Sequence, residues 1–272
     1  MSLISKPTAS PNRIEMLVDF LKINNNKYTK KDLELMFSPD SGGVFKEVYS
    51  VVEMLDLLVI KEDVVYHNIE NKKNKSKEII KRALFNVENT TNYNFNISLA
   101  WLLVQNQNEL INFKDNVGNR FLRDLTDQIS DTEFSNNARF QHFIYWCEYL
   151  GFVNKISISG ETYICPDPTH AIKNELELNF KKEERFSVKD FFMKLSKSLP
   201  VLEYGIIREK VNGILRDGLS LPNGTLSYST SLAITRLQQQ KIIALESKSD
   251  AEVITLSDGV NNKRISHIKY LG

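Results

Sequence analysis

The chain has 272 residues, 42% hydrophobic and 25% charged, with a formal net charge of +1. That length holds two or three domains with cores of their own. The near-zero charge excludes a basic coat that grips nucleic acid nonspecifically, so any DNA contact must come from local patches.

Asn12, after Pro11, is the candidate N-cap of a first helix with Ile14, Leu17, Val18 and Leu21 at helical spacing. Asn24, Asn25 and Asn26 stop it. Thr29 opens a second helix with apolar Leu33, Leu35 and Met36, ending before Pro39. Ser41, Gly42 and Gly43 turn the chain into a third helix over 44–56. Strands over 57–60 and 64–66 then flank Lys61, Glu62 and Asp63. Lys72, Lys73, Lys75 and Lys77 form a basic linker into a helix through Ile79, Ile80, Ala83 and Leu84. Helices follow over 97–104, with Trp101 on the apolar side, and over 120–129, with Phe121, Leu122, Leu125 and Ile129 as its stripe. Asn136 or Asn137 caps the next, which reaches Leu150. Strands over 152–158 and 162–165 make a hairpin around Ser159, Gly160 and Glu161, ended by Pro166 and Pro168.

A linker helix over 169–180 leads through the mixed-charge run at 181–185 to Ser187, an N-cap before Phe191, Phe192 and Leu195. Helices over 201–215 and 227–240 come next. A hairpin pairing 242–246 with 252–256 is expected to complete the series. The tail, 259–272, holds Arg264-Ile265-Ser266-His267-Ile268, and its apolar alternation predicts that it docks on the body.

One pattern recurs three times at a helix-to-hairpin junction: Val51-Val52-x-x-Leu55-x-x-Leu58, Phe143-Ile144-x-x-Cys147-x-x-Leu150 and Ala233-Ile234-x-x-Leu237-x-x-Gln240. Anchored on Leu55, Cys147 and Leu237, the copies lie 92 and 90 residues apart. Such regularity argues for related modules rather than one large core. Three helices and a two-stranded hairpin are the order of a winged helix-turn-helix module. The expected fold is therefore α+β, mainly helical, with three such modules in tandem. They occupy 12–70, 76–168 with extra N-terminal helices, and 169–258 with its linker helix.

Few residues invite catalysis. Phosphate-binding glycine loops and a His-Glu-x-x-His pair are missing from the sequence, and His67, His142, His170 and His267 stand apart without metal-ligand spacing. Glu183 and Glu184 sit among basic residues as a solvated linker face. Ser266 and His267 are expected to point to opposite faces of a strand. No enzyme, cofactor or metal is expected. Cys147 and Cys165 are the only cysteines, read as buried reduced thiols. No apolar run of about 18 residues predicts a membrane span. With no apolar leader at 1–7, a cytoplasmic protein is expected.

In a helix-turn-helix the third helix enters the major groove. The first module would show Lys46, Tyr49, Ser50 and Glu53, where Glu53 opposes phosphate. The second shows Gln141 and His142 as candidate DNA contacts, with Tyr145 and Tyr149 read as protein contacts. The third offers the best DNA face: Tyr228, Ser231, Thr235, Arg236 and Gln239, with Lys241 beyond and Lys248 at the hairpin tip. Lys72, Lys73 and Lys75 could add phosphate contacts, although charge runs are commonly solvated faces.

The stretch Glu148-Tyr149-Leu150-Gly151-Phe152-Val153 resembles the helix-to-wing junction of winged helix proteins. Pro7-Thr8-Ala9-Ser10-Pro11 before a helix, and the closing Arg264 to Ile268 segment, resemble the DpdG-like accessory proteins of bacterial phage-defence clusters associated with 7-deazaguanine DNA modification. That resemblance implies a defence context and carries over no catalytic residue. Two functions follow as expectations: a non-catalytic DNA-binding component of a defence or DNA-transaction complex, or an adaptor whose modules dock other protein subunits.

Overall fold

Ser10, not Asn12, precedes helix α1 (Pro11–Ile23), because Pro11 fits the first turn, where its missing N–H has no partner to lose. Thr29 caps α2 (Lys30–Phe37) with a reciprocal box. The Asp32 N–H donates to Thr29 Oγ1 at 3.2 Å, and the Thr29 N–H donates to Asp32 Oδ2 at 2.8 Å. Leu33 is buried there, whereas Leu35 and Met36 face out. Helix α3 (Gly42–Met54) packs against α1 and α2, and antiparallel strands β1 (Leu58–Lys61) and β2 (Val64–His67) follow. Glu62 and Asp63 both take positive φ, the twist that matches a tight two-residue hairpin. Thr29 makes one isolated antiparallel bridge to Val64, at the start of β2.

This computed structural model describes the chain apart from residues 1, 25–26, 39–41, 70–71, 107–109, 116, 126–133, 135, 217–220 and 258–261. Asn25, Asn26, Pro39, Ser41 and Ile129, named above, lie outside the described residues, as does the side chain of Leu122. The chain divides into two compact units, 1–95 and 96–272. Helix α4 (Ser76–Leu84), which the sequence assigns to the second module, belongs to the first unit. Ser76 Oγ donates to Asp19 Oδ1 at 2.5 Å and Lys22 Nζ donates to the Asn74 carbonyl at 2.9 Å, tying α4 to α1.

Helix α5 (Tyr93–Val104) begins at the end of the first unit and runs into the second, where β3 (Ile111–Asn112), α6 (Gly118–Asp124), α7 (Asn137–Leu150), β4 (Val153–Ile158) and β5 (Glu161–Pro166) follow. Helix α6 stops well short of the expected 129, since Leu125 is extended and bridges Leu215. Trp101, Phe121, Phe134 and Phe143 form an aromatic core, with Trp101 and Phe121 edge to face at 5.1 Å. The sheet runs β3-β5-β4.

The remaining elements are α8 (Thr169–Asn179), β6 (Arg185–Ser187), α9 (Val188–Leu195), α10 (Ile206–Ile214), α11 (Tyr228–Gln239), β7 (Ile243–Glu246), β8 (Ile254–Ser257), β9 (Asn262–Ile265) and β10 (His267–Tyr270). The expected hairpin of 242–246 with 252–256 does not form. Strand β8 pairs with β9, and β7 pairs instead with β10, which lies between β6 and β7. The tail supplies the better strand: Ile265 and Ile268 are buried, as is Tyr270. Its expected docking is thus observed, as the centre of a sheet.

The order helix, bridge or short strand, helices, strands recurs three times. The isolated bridge at Thr29, then β3 and β6, pair with the last strand of each set (β2, β5 and β10), the third set carrying four strands after α11 rather than two. The junctions fix the register. Asp56, Gly151 and Lys241 all have positive φ, and the following N–H groups, of Leu57, Phe152 and Ile242, donate back to the carbonyls of Val52, Cys147 and Leu237. Val52, not Leu55, is therefore the counterpart of Cys147, and the spacings are 95 and 90. Apolar residues three apart on one helix face left that register ambiguous.

Candidate interaction surfaces and a buried polar cluster

Helix α11 buries its apolar stripe and, beyond expectation, the hydroxyls of its first turn. Its Ser229, Thr230, Ser231, Ala233, Ile234 and Leu237 are all buried, and it packs against α8, β7 and β8. Ser231 is 2% exposed and its Oγ accepts from the Ser257 N–H at 3.0 Å, so it is not on a DNA-facing surface. The hydroxyls serve the interior. Ser229 Oγ donates to the Leu103 carbonyl at 2.6 Å, and Thr230 Oγ1 donates to Glu203 Oε2 at 2.7 Å. Glu203 Oε1 accepts from the N–H and the hydroxyl of Ser227, at 3.0 and 2.6 Å, and from Arg208 Nη2 at 3.2 Å. Burial alone would push the Glu203 carboxyl up. Arg208 and the hydroxyls of Ser227 and Thr230 outweigh it and hold the group below its ordinary value.

Sequence reasoning missed this cluster. Its signal was the hydroxyl run Ser227, Ser229, Thr230, Ser231 on a helix start that also carries a buried apolar stripe.

Of the other residues assigned to the third face, Arg236 is ion-paired through Nη1 with buried Asp167, which also accepts from Asn154 Nδ2 at 2.7 Å. Arg236 therefore joins α11 to the β5–α8 junction. Thr235 Oγ1 donates to the Ser231 carbonyl at 2.8 Å, and Tyr228 is half-buried. Gln239, Lys241 and Lys248 are exposed. Lys241 owes its place to the left-handed turn that ends the helix.

Helix α7 presents a different face. Tyr145 is 47% exposed and meets Phe113 edge to face at 5.7 Å. Lys155 Nζ lies 4.3 Å from the Tyr145 ring centre and 4.8 Å from that of Phe113, and pairs with Glu148 Oε2 at 2.7 Å. Gln141 is half-buried, as is Tyr149, whose ring packs on Trp146. His142 is 3% exposed, a correction to its placing beside Gln141. One hundred degrees of helical turn separate adjacent residues, enough to send the neighbour into the core. Exposed Ile156 and Ile158 alternate with Lys155 along β4, the outer strand of its sheet, and so lie on the opposite face of that strand.

On the first unit, Lys72, Lys73 and Lys75 are exposed, Lys75 standing at the N-cap of α4. Tyr49 is buried rather than on the face of α3. Its hydroxyl is pushed up to about 12 by burial and then by Glu53.

Ser266 and His267 do meet, Oγ to Nδ1 at 2.9 Å, because a bend between β9 and β10 breaks the strand alternation. Ser266 is 1% exposed and its Oγ accepts from the Lys248 N–H at 2.9 Å, so it braces the bend. Both cysteines are free thiols that burial holds above their ordinary value. Among the described residues, no group of three or more His, Cys, Asp or Glu could hold a metal ion. Nor is any described helix long and apolar enough to cross a membrane.

These features are those of a mainly helical α+β chain with small antiparallel sheets. The sequence pattern of the DpdG-like proteins matches residues 1–251, and the chain belongs to the DpdG-like family. That membership suggests a component of a phage-defence cluster. No curated protein and no solved structure matches the chain significantly.

Proposed function

We propose that the three repeats are winged helix-turn-helix modules and that the chain is a non-catalytic adaptor of a defence complex, docking another protein subunit through the α7–β4 face. One observation carries this reading. In α11, the helix with the most base-reading side chains, Ser231 is buried and Arg236 is paired with Asp167, while α7 exposes Tyr145 beside Phe113 and Lys155. There Lys155 is neutralised by Glu148, which suits a protein better than a phosphate backbone. Tyrosine in such a place is a common anchor of binding energy.

The test is co-purification with the products of neighbouring genes. Changing Tyr145→Ala should weaken complex formation by about 30-fold, an anchor's contribution of roughly 2 kcal/mol, with the circular dichroism spectrum unchanged. Undiminished assembly would reject the surface.

The exposed Lys72, Lys73 and Lys75 favour a second reading, DNA binding by the first unit. Anisotropy of labelled duplex and single strands then shows affinity that falls steeply with salt and is lost on changing all three lysines to glutamate.

A further inference from the structure

Arg208 is 3% exposed, and its guanidinium is only partly used: Nε donates to Asn212 Oδ1 at 3.1 Å and Nη2 to Glu203 Oε1, while Nη1 is buried with no hydrogen-bond partner. A buried charged donor left unpaired is costly, so the position calls for an acceptor. Arg208 lines a cleft of about 420 Å³, within the size range of small-molecule sites.

The rest of the lining narrows the chemistry. Leu215, Leu226 and Ile254 supply an apolar wall, with Asn212, Tyr204 and Glu209 as the polar groups nearby. Arg208 is already neutralised by Glu203, and Glu209 adds a further carboxylate, so a second anion would enter against net negative charge. A neutral carbonyl oxygen for Nη1, beside an N–H for Glu209, satisfies both ends. Backbone shape is committed here too. Tyr204 has φ of 62°, rare for a bulky side chain, and Gly205 follows it where an added Cβ would lie 2.3 Å from the Pro200 carbonyl oxygen.

We propose that this cleft binds a small neutral molecule with an amide or lactam edge, its carbonyl on Arg208 and its N–H on Glu209, with a flat apolar body against the leucine and isoleucine wall. The site is independent of the α7–β4 face.

Saturation-transfer NMR of the full chain with nicotinamide, 2-pyridone and uracil tests it, with benzoate and pyridine as the anionic and amide-free counterparts. The lactam and amide probes should bind at millimolar concentration and compete with one another, with benzoate and pyridine at least tenfold weaker. Leu221→Trp at the cleft should abolish the signal, and Glu209→Gln, at an exposed position, should weaken nicotinamide about tenfold. The Glu209 variant stands alone if the tryptophan perturbs folding. Absence of binding by all three probes, equal binding of benzoate, or indifference to Glu209→Gln overturns the proposal. Oligothymidylate separates the sources: a base carried on a strand displaces nicotinamide, whereas a site for free molecules leaves it bound.

Discussion

At 8% exposure the Glu203 carboxylate keeps its charge because four donors converge on it: the Ser227 N–H, the Ser227 and Thr230 hydroxyls, and Arg208. Its folded-state value lies below the 4.5 of a free glutamate. A lowered carboxylate contributes stability that is complete above the unfolded value and is lost as pH falls through the folded one. Urea unfolding from about pH 7 down to about pH 3 should therefore show an acid limb below 4.5. Glu203→Gln leaves Arg208 buried without its counter-charge, a loss of about 3–5 kcal/mol at neutral pH, and should flatten that limb. An unchanged limb in the variant would assign the acid sensitivity elsewhere. Hydroxyl-rich sequence misled here for a physical reason: serine and threonine are small enough to be buried once their oxygens are bonded, so polarity alone does not mark an exposed face.

Helix ends were the most legible elements. The Thr29 box, the Asn136 cap and the Ser187 cap all stand where local chemistry puts them, because each rests on hydrogen bonds within three residues. Pairings of distant strands were not legible. The segment 247–251 carries no strong hairpin turn, and nothing local to β7 announces a partner at 267–270. Among candidate surface residues, Tyr145 was legible as an exposed aromatic, whereas Arg236 was not, since its partner Asp167 lies 69 residues away.

The shared left-handed residue at the helix-to-strand junction gives a paired prediction. Lys241→Gly should stabilise by about 0.5–1 kcal/mol, since glycine adopts φ of 58° without strain. Gly151→Ala should act oppositely and more strongly, by roughly 1–3 kcal/mol, because its φ is 87° and the new Cβ would sit 3.0 Å from the Ala171 nitrogen. Thermal unfolding of both variants checks the signs. Destabilisation by Lys241→Gly would show that the lysine contributes more than its backbone shape costs.

Across the whole chain, each compact unit has its own buried core. Ile268, fully buried at the centre of the β6-β10-β7 sheet, is where the last repeat is most exposed to damage. Ile268→Ala should lower stability by about 2–4 kcal/mol, with hydrogen exchange speeding up together in β6, β7 and β10. Amides of residues 1–95 should keep their protection. Loss of protection there as well would mean that the two units unfold as one.

The central place of β10 also governs timing. A chain emerging from the ribosome N-terminus first presents Ser187 some 80 residues before its partner His267, and β7 likewise waits for β10. The first two repeats close on strands that follow directly on their neighbours. The third stays an open pair of unpaired edges until residue 270 has been made. Nascent-chain arrest should find the first unit protease-resistant while the last repeat is still in pieces, so a mistimed or shortened synthesis strikes the third repeat and spares the first.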